Sequence, residues 1–182
     1  MKILGALLWH IRRGCSFLVK RYLKSKFAEC GTDVYLGNNG IATYENIYVG
    51  NHVYFGSNYV IQSAHGEIVI GNHVMFGPGV HIHGGNHKFD QVGVYMDMIT
   101  KEENSDAPVI IEDDVWIGAN TIILGGIHIG FGSVIGAGSV VTHDVVAGGI
   151  YAGNPAKLIK MRFSEDEMKK HRDALVEKVD NA

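Results

Sequence analysis

Apolar residues recur along this chain at intervals of six. Ile70, Phe76 and Ile82 keep the interval, the pattern lapses for more than twenty residues, and it resumes at Ile111, Ile117, Ile123, Ile129, Ile135 and Val141. Written with the apolar residue first, the blocks are VGNHVY, FGSNYV and IQSAHG, then, after three extra residues, IGNHVM, FGPGVH and IHGGNH. Beyond the lapse come IEDDVW, IGANTI, ILGGIH, IGFGSV, IGAGSV and VTHDVV. Seven of these twelve blocks carry Gly second, and the fifth position is small or β-branched at Val53, Val74, Val80, Val115, Thr121, Ser133 and Ser139. Six is neither the 3.6-residue period of an amphipathic helix nor the heptad of a coiled coil. An ordinary sandwich would alternate every two residues between turns of varied length. A fixed hexad fits a parallel β-helix, in which each block supplies one short strand and one corner and three blocks close a triangular coil. First-position side chains then stack inward at the ~4.8 Å strand spacing, and glycines are expected in corner conformations closed to bulkier residues. Twelve blocks make four coils, with a weaker one expected around DVYLGNNGIA.

The flanks depart from this period. Residues 1–26 place Ile3, Leu4, Leu7, Leu8, Ile11, Phe17, Leu18, Tyr22 and Leu23 at helical spacing, with Lys2, Arg13, Lys20 and Lys24 on the other side. Gly14 is the point where such an arm would divide into two shorter helices. At the other end YAGNPAK reads as a turn, and Ser164 with Glu167 three residues later is a capping-box signature. A helix over 165–178 is expected, with Met168, Leu175, Val176 and Val179 as its apolar face. The organisation is therefore a basic amphipathic arm over 1–28, a β-helix over 29–156 with an excursion loop at 87–110, and a tail with a helix over 157–182.

Composition supports one domain with many tight turns: 182 residues, 24 glycines and only 3 prolines, with no collagen-like period and no low-complexity tract. Charge is divided unevenly. Seven of the sixteen Lys/Arg and none of the nineteen Asp/Glu fall in residues 1–28, which leaves nine against nineteen in the rest. Two explanations fit the basic arm: packing on its own protein or a partner subunit, or lying on anionic lipid or steering a polyanionic substrate. Cys15 and Cys30 are too few for a disulfide scaffold, no cleavable leader is evident, and no run approaches the ~20 apolar residues of a membrane span. A cytoplasmic protein is expected, with residues 1–26 as its place of peripheral membrane contact and without nucleic acid among its partners.

The run VWIGANTIILGGIHIGFGSVIGAGSVVTHDV, with YAGNPAKLIK after it, resembles the CoA-binding half of the maltose/galactoside O-acetyltransferases. It is similar also to the streptogramin and chloramphenicol (xenobiotic) acetyltransferases, all hexapeptide-repeat acyltransferases. The resemblance covers about residues 47–163. It implies an all-β solenoid, a left-handed parallel β-helix, assembled as a homotrimer with acetyl-CoA as acyl donor in the cleft between neighbouring subunits and with no metal. By position it implies that Gly118, Ala119, Gly136 and Ala137 line the pantetheine arm and that Thr142 and His143 reach the adenosine end. Lys157 and Lys160 would supply basic contacts, and Trp116 would stack against the cleft. His143 stands where the family commonly has lysine, so the fixed charge there is lost.

The family also carries a histidine base on a loop where the repeat breaks, and His87 in GGNHKFD occupies that place, with Asn86 and Asp90 beside it as candidate acceptor contacts. The chemistry agrees. An acceptor hydroxyl must lose its proton as its oxygen attacks a thioester, and neutral imidazole suits that task near neutral pH. The thioester is already activated, so direct attack needs no protein nucleophile. His52 and His73 sit at corners in GNHV and are expected to be solvated; His81, His83 and His128 fall on or near faces. His81, His83 and His87 together could instead suggest zinc, as in the γ-class carbonic anhydrases, although the spacing departs from that family's paired histidines. The expected function is O-acetylation of a sugar or glycan-precursor hydroxyl. The alternatives are a xenobiotic acetyltransferase, an amino-sugar N-acyltransferase and a non-catalytic β-helix scaffold.

Overall fold

The computed structural model describes residues 16–102 and 105–180. Each hexad forms a two- or three-residue strand, and the strands stack into three parallel sheets that make the faces of a triangular prism. The first face is built from Glu29–Cys30, Ile47–Val49, Ile68–Ile70, Val109–Ile111 and His128–Ile129. The second contains Tyr35–Leu36, Tyr54–Phe55, Met75–Phe76, Trp116–Ile117, Val134–Ile135 and Gly149–Ala152, and the third Ile41–Ala42, Val60–Gln62, His81–His83, Ile122–Ile123 and Val140–Val141. The stretch DVYLGNNGIA forms part of a first coil, with Val34 and Leu36 buried.

Two positions of each block fill the prism. First-position residues such as Phe55, Phe76, Ile117 and Ile135 are at most 1% exposed, and so are the fifth-position Val53, Val74, Val115, Thr121, Ser133 and Ser139. Like stacks on like at the rung spacing: the rings of Phe55 and Phe76 lie 4.9 Å apart and 5° from parallel. The polar fifth-position groups are satisfied locally, since the Ser133 and Ser139 hydroxyls donate to the carbonyls of Gly130 and Gly136 at 2.6 Å.

The corner conformation falls at the fourth position of the block. Glycine takes it as expected at Gly79, Gly126, Gly132, Gly138 (φ 71°) and Gly148, and Asp33, Asn39, His52, Asn58, His73, Asp114 and Asn120 adopt the same left-handed φ. Short polar side chains tolerate that region. Second-position glycine has another cause. A Cβ built on Gly118 would lie 2.5 Å from the backbone nitrogen of Ala137 in the next coil, so glycine there permits coil-to-coil contact. The third position, silent in the sequence, carries a ladder. Asn51 Oδ1 accepts from the Thr32 N–H at 2.8 Å, Asn72 Oδ1 from Asn51 at 2.8 Å, and Asp113 Oδ1 from Asn72 at 2.7 Å.

The ends are closed by different devices. A helix over 16–24, α1, leads to Phe27, which is buried over the first coil and meets Tyr44 edge-on at 4.9 Å. Residues 1–15 of the expected arm, Gly14 among them, lie outside the described residues. At the other end Lys157–Met161 turns back antiparallel on Gly149–Ala152, and helix α2 (Glu165–Asp180) follows. Ser164 and Glu167 form the expected capping box, with the Ser164 N–H and hydroxyl donating to Glu167 Oε2 at 2.9 and 2.7 Å. Asp114 ties this tail to the corner between the first and second faces, accepting from Arg162 Nη1 at 2.6 Å and meeting His171 Nε2 at 2.9 Å. Met168 and Leu175 of the expected apolar face are half-buried; the side chains of Val176 and Val179 lie outside the described ones.

Candidate active site

The third face ends at His83 and the first face resumes at Val109, so the excursion spans 84–108 and stands on the edge between those two faces. Among its described residues the backbone is irregular apart from a short 3-10 turn at Met96–Met98. It departs through buried Gly84, where the Ser63 hydroxyl donates to the Gly84 carbonyl at 3.2 Å, and crosses Gly125 and Gly126 of the coil above. Between loop and edge lies an open cleft of about 390 Å³, lined by Asn86, His87, Asp90, Lys101, Asp106 and neighbours. Asn86, His87 and Asp90 are exposed there, so the three loop residues singled out in the sequence share one cleft.

Two residues that sequence reasoning passed over hold this loop in shape. Lys101 Nζ donates to the Asn86 carbonyl at 2.6 Å and also to Asp106 Oδ1. Asp106 is half-buried as a residue, but its side chain is only 8% exposed and its Oδ2 finds no partner among the described residues. A buried carboxylate beside a lysine is held by that charge, so the far end of the loop is anchored next to His87. The readable signal was a Lys and an Asp five residues apart just before the period resumes.

The other expected site residues fall on different parts of the prism. Gly118, Ala119, Gly136 and Ala137 occupy the edge between the second and third faces; Gly118 is buried, Ala119 and Gly136 are half-buried, and Ala137 is exposed. Beside Ala137 the surface is open, since a Cβ built on Gly138 would meet nothing within 4 Å. Lys157 is exposed and pairs with Ala152 near the same edge, whereas Lys160 pairs with Ile150 on the second face. Trp116 points outward from the second face, 52% exposed, in one column with Tyr54 and Met75. Thr142 and His143 sit on the His87 edge one coil above Gly125, joined by a 2.8 Å Oγ1···Nδ1 contact.

The expected site is therefore split between two edges of one chain. One bears His87, Thr142 and His143, and the other bears the Ala119–Ala137 ledge and Lys157. The third face separates them by about six residues, at most ~20 Å of extended chain. Of the remaining histidines, His52 and His73 are corner residues with rings stacked at 4.7 Å. His128 bridges to Glu112 at 2.7 Å. His81 and His83 lie side by side on the third face with ring centres 6.1 Å apart, and no group of three potential metal ligands occurs among the described residues.

Residues 108–143 match the family model described as "Hexapeptide repeat of succinyl-transferase". A maltose O-acetyltransferase from Clostridium difficile 630 superposes with a TM-score of 0.71 and 33% identity, over 80% of this chain and 75% of that one. A hexapeptide-repeat acetyltransferase from Vibrio cholerae, solved with acetyl coenzyme A, gives 0.71 and 30% over 80% and 78%. A 2,3,4,5-tetrahydropyridine-2,6-dicarboxylate N-acetyltransferase from Staphylococcus aureus is 48% identical over 80 residues, 44% of this chain and 34% of that protein. The present chain thus matches about a third of that relative's length. The prism is the left-handed parallel β-helix expected of such proteins. Repeat, fold and similarity over most of its length agree: the chain belongs to the hexapeptide-repeat acyltransferase family.

Proposed function

We propose that the protein is an acetyl-CoA-dependent O-acetyltransferase working in clefts between the subunits of a homotrimer, with His87 as general base and a sugar or glycan-precursor hydroxyl as acceptor. The observation that carries this reading is the division of the site between two edges. One chain cannot face its own His87 loop towards its own Ala119–Ala137 ledge, but two copies can set one edge of each against the other. The ledge suits pantetheine, because exposed Ala137 and the open space at Gly138 let a slender chain lie close to backbone. Lys157 and Lys160 are exposed cations within reach of phosphates beyond it.

The reaction follows from the groups present. The acceptor oxygen attacks the thioester carbonyl carbon while the His87 ring takes the hydroxyl proton. The tetrahedral centre then collapses with cleavage of the C–S bond, and the departing thiolate recovers the proton from the imidazolium. Asn86 and Asp90, exposed in the same cleft, are placed to accept or donate hydrogen bonds to a polyhydroxylated acceptor. The identity to an N-acetyltransferase favours one second reading, an amine acceptor on an amino sugar or amino acid. Thiol release from acetyl-CoA, screened against sugars, amino sugars and amino acids, separates the two. Release with hydroxyl acceptors supports the first reading, release with amines alone the second, and no release with any acceptor supports a non-catalytic scaffold.

A further inference from the structure

An amphipathic helix ordinarily turns its apolar side to its own protein. Helix α1 turns only Leu23 of its apolar residues towards the core. Ser16, Lys20, Leu23 and Lys24 are the residues partly covered by the body, and the Lys20 ammonium rests 5.0 Å above the ring of Tyr35. Phe17, Leu18, Val19 and Tyr22 point away and are 54–66% exposed. The helix stands at the first-coil end of the prism, where Phe27 closes the core, so these side chains project at the end opposite α2.

We infer that this outward surface of α1 docks on a membrane bearing anionic lipid. Two observations favour lipid over a second copy of the chain. Residues 1–28 carry seven Lys/Arg and no acidic residue; in α1 Arg21 is exposed beside the apolar cluster, Lys20 and Lys24 lie half-covered at its margin, and Lys26 after it pairs with Glu45 at 3.4 Å. Protein interfaces are depleted in lysine at their centres, whereas aromatic and aliphatic residues flanked by Lys and Arg are the composition of interfacial helices. The sequence before α1 continues in kind: Ile3, Leu4, Leu7, Leu8 and Ile11 recur at helical spacing with Lys2, Arg12 and Arg13. No helix among the described residues is long and apolar enough to cross a membrane.

Co-sedimentation of the full chain with vesicles tests this. Vesicles of phosphatidylcholine with about 30 mol % phosphatidylglycerol should bind the protein at least ~10-fold more strongly than phosphatidylcholine alone, and binding should weaken as salt rises. Phe17→Ser/Leu18→Ser/Tyr22→Ser should abolish binding without changing the sedimenting mass in solution. Arg21→Gln/Lys24→Gln should weaken it roughly 5-fold or more per charge removed. Equal binding by wild type and the triple variant, or no binding by wild type, would overturn the proposal. A fall in solution mass of the triple variant would overturn it too, and would make the surface an interface between copies.

Discussion

Lys101 places its ammonium 2.6 Å from the carbonyl oxygen of Asn86, one residue before His87, while also pairing with Asp106. The contact fastens the loop that carries the proposed base to the point where the chain rejoins the prism. Replacing Lys101 with Met should therefore lower kcat about 10- to 100-fold, in the range a misplaced reacting group costs. The KM for acetyl-CoA should be unchanged, because the proposed CoA ledge lies on another edge. Lys101→Arg should recover most of the loss. Steady-state kinetics of the three proteins is the check, and equal kcat in all would remove Lys101 from the account.

Glycine has two separate duties in this coil, and stability measurements can tell them apart. Gly118→Ala forces a Cβ to 2.5 Å from the Ala137 nitrogen and should cost about 1–3 kcal/mol, as overpacking does. Gly138→Asn should be tolerated within about 1 kcal/mol, because Asn120 already holds the same left-handed position one coil below at φ 56°. Denaturant midpoints of the two variants decide it.

The capping box of α2 predicts a dependence on acid. The backbone N–H and then the hydroxyl of Ser164 hold the Glu167 carboxyl below its ordinary value of 4.5. A group depressed in the folded state contributes fully above its unfolded value, and the contribution fades as pH falls through the lower, folded value. Protection of the first-turn amides of α2, taken relative to each amide's intrinsic exchange rate, should therefore be full above pH 4.5 and fall on acidification below it. Ser164→Ala should speed that exchange roughly 5-fold at neutral pH, the effect of losing a typical N-cap, and should flatten the acid dependence.

Much of the architecture was legible because burial leaves few choices. Val74, Ile117 and Ser133 must be apolar or small at their positions, and a period of six has few structural solutions. The coil-to-coil duty of Gly118 was not legible, since close contact and corner strain both select glycine, and only the crowding at Gly118 and the left-handed φ of Gly138 separate them. His87 was visible because the rhythm stops there. Lys101 and Asp106 were not, because the loop has no period and their contact closes a chain reversal that no spacing rule describes. The separation of the candidate residues between the His87 edge and the Ala137 edge depends on which corner each hexad turns, and it became visible only with the strand pairing in place.

That split predicts complementation. Ala137→Trp should block the ledge and His87→Ala should remove the base, leaving each assembly nearly inactive. Refolded together, the two chains should regain activity, because some clefts then combine the intact ledge of one copy with the intact loop of another. An inert mixture that demonstrably exchanges subunits would place both halves of the site on one chain.

The most direct measurement is kcat for His87→Ala beside His81→Ala and His83→Ala, with an acceptor identified by thiol release and with bound zinc measured in the wild type. A lost general base predicts a fall of ~10²–10⁴-fold for His87→Ala, with fold and acetyl-CoA affinity retained, and far smaller losses for the other two. Normal turnover in His87→Ala, or equal losses in all three with stoichiometric zinc in the wild type, would contradict it.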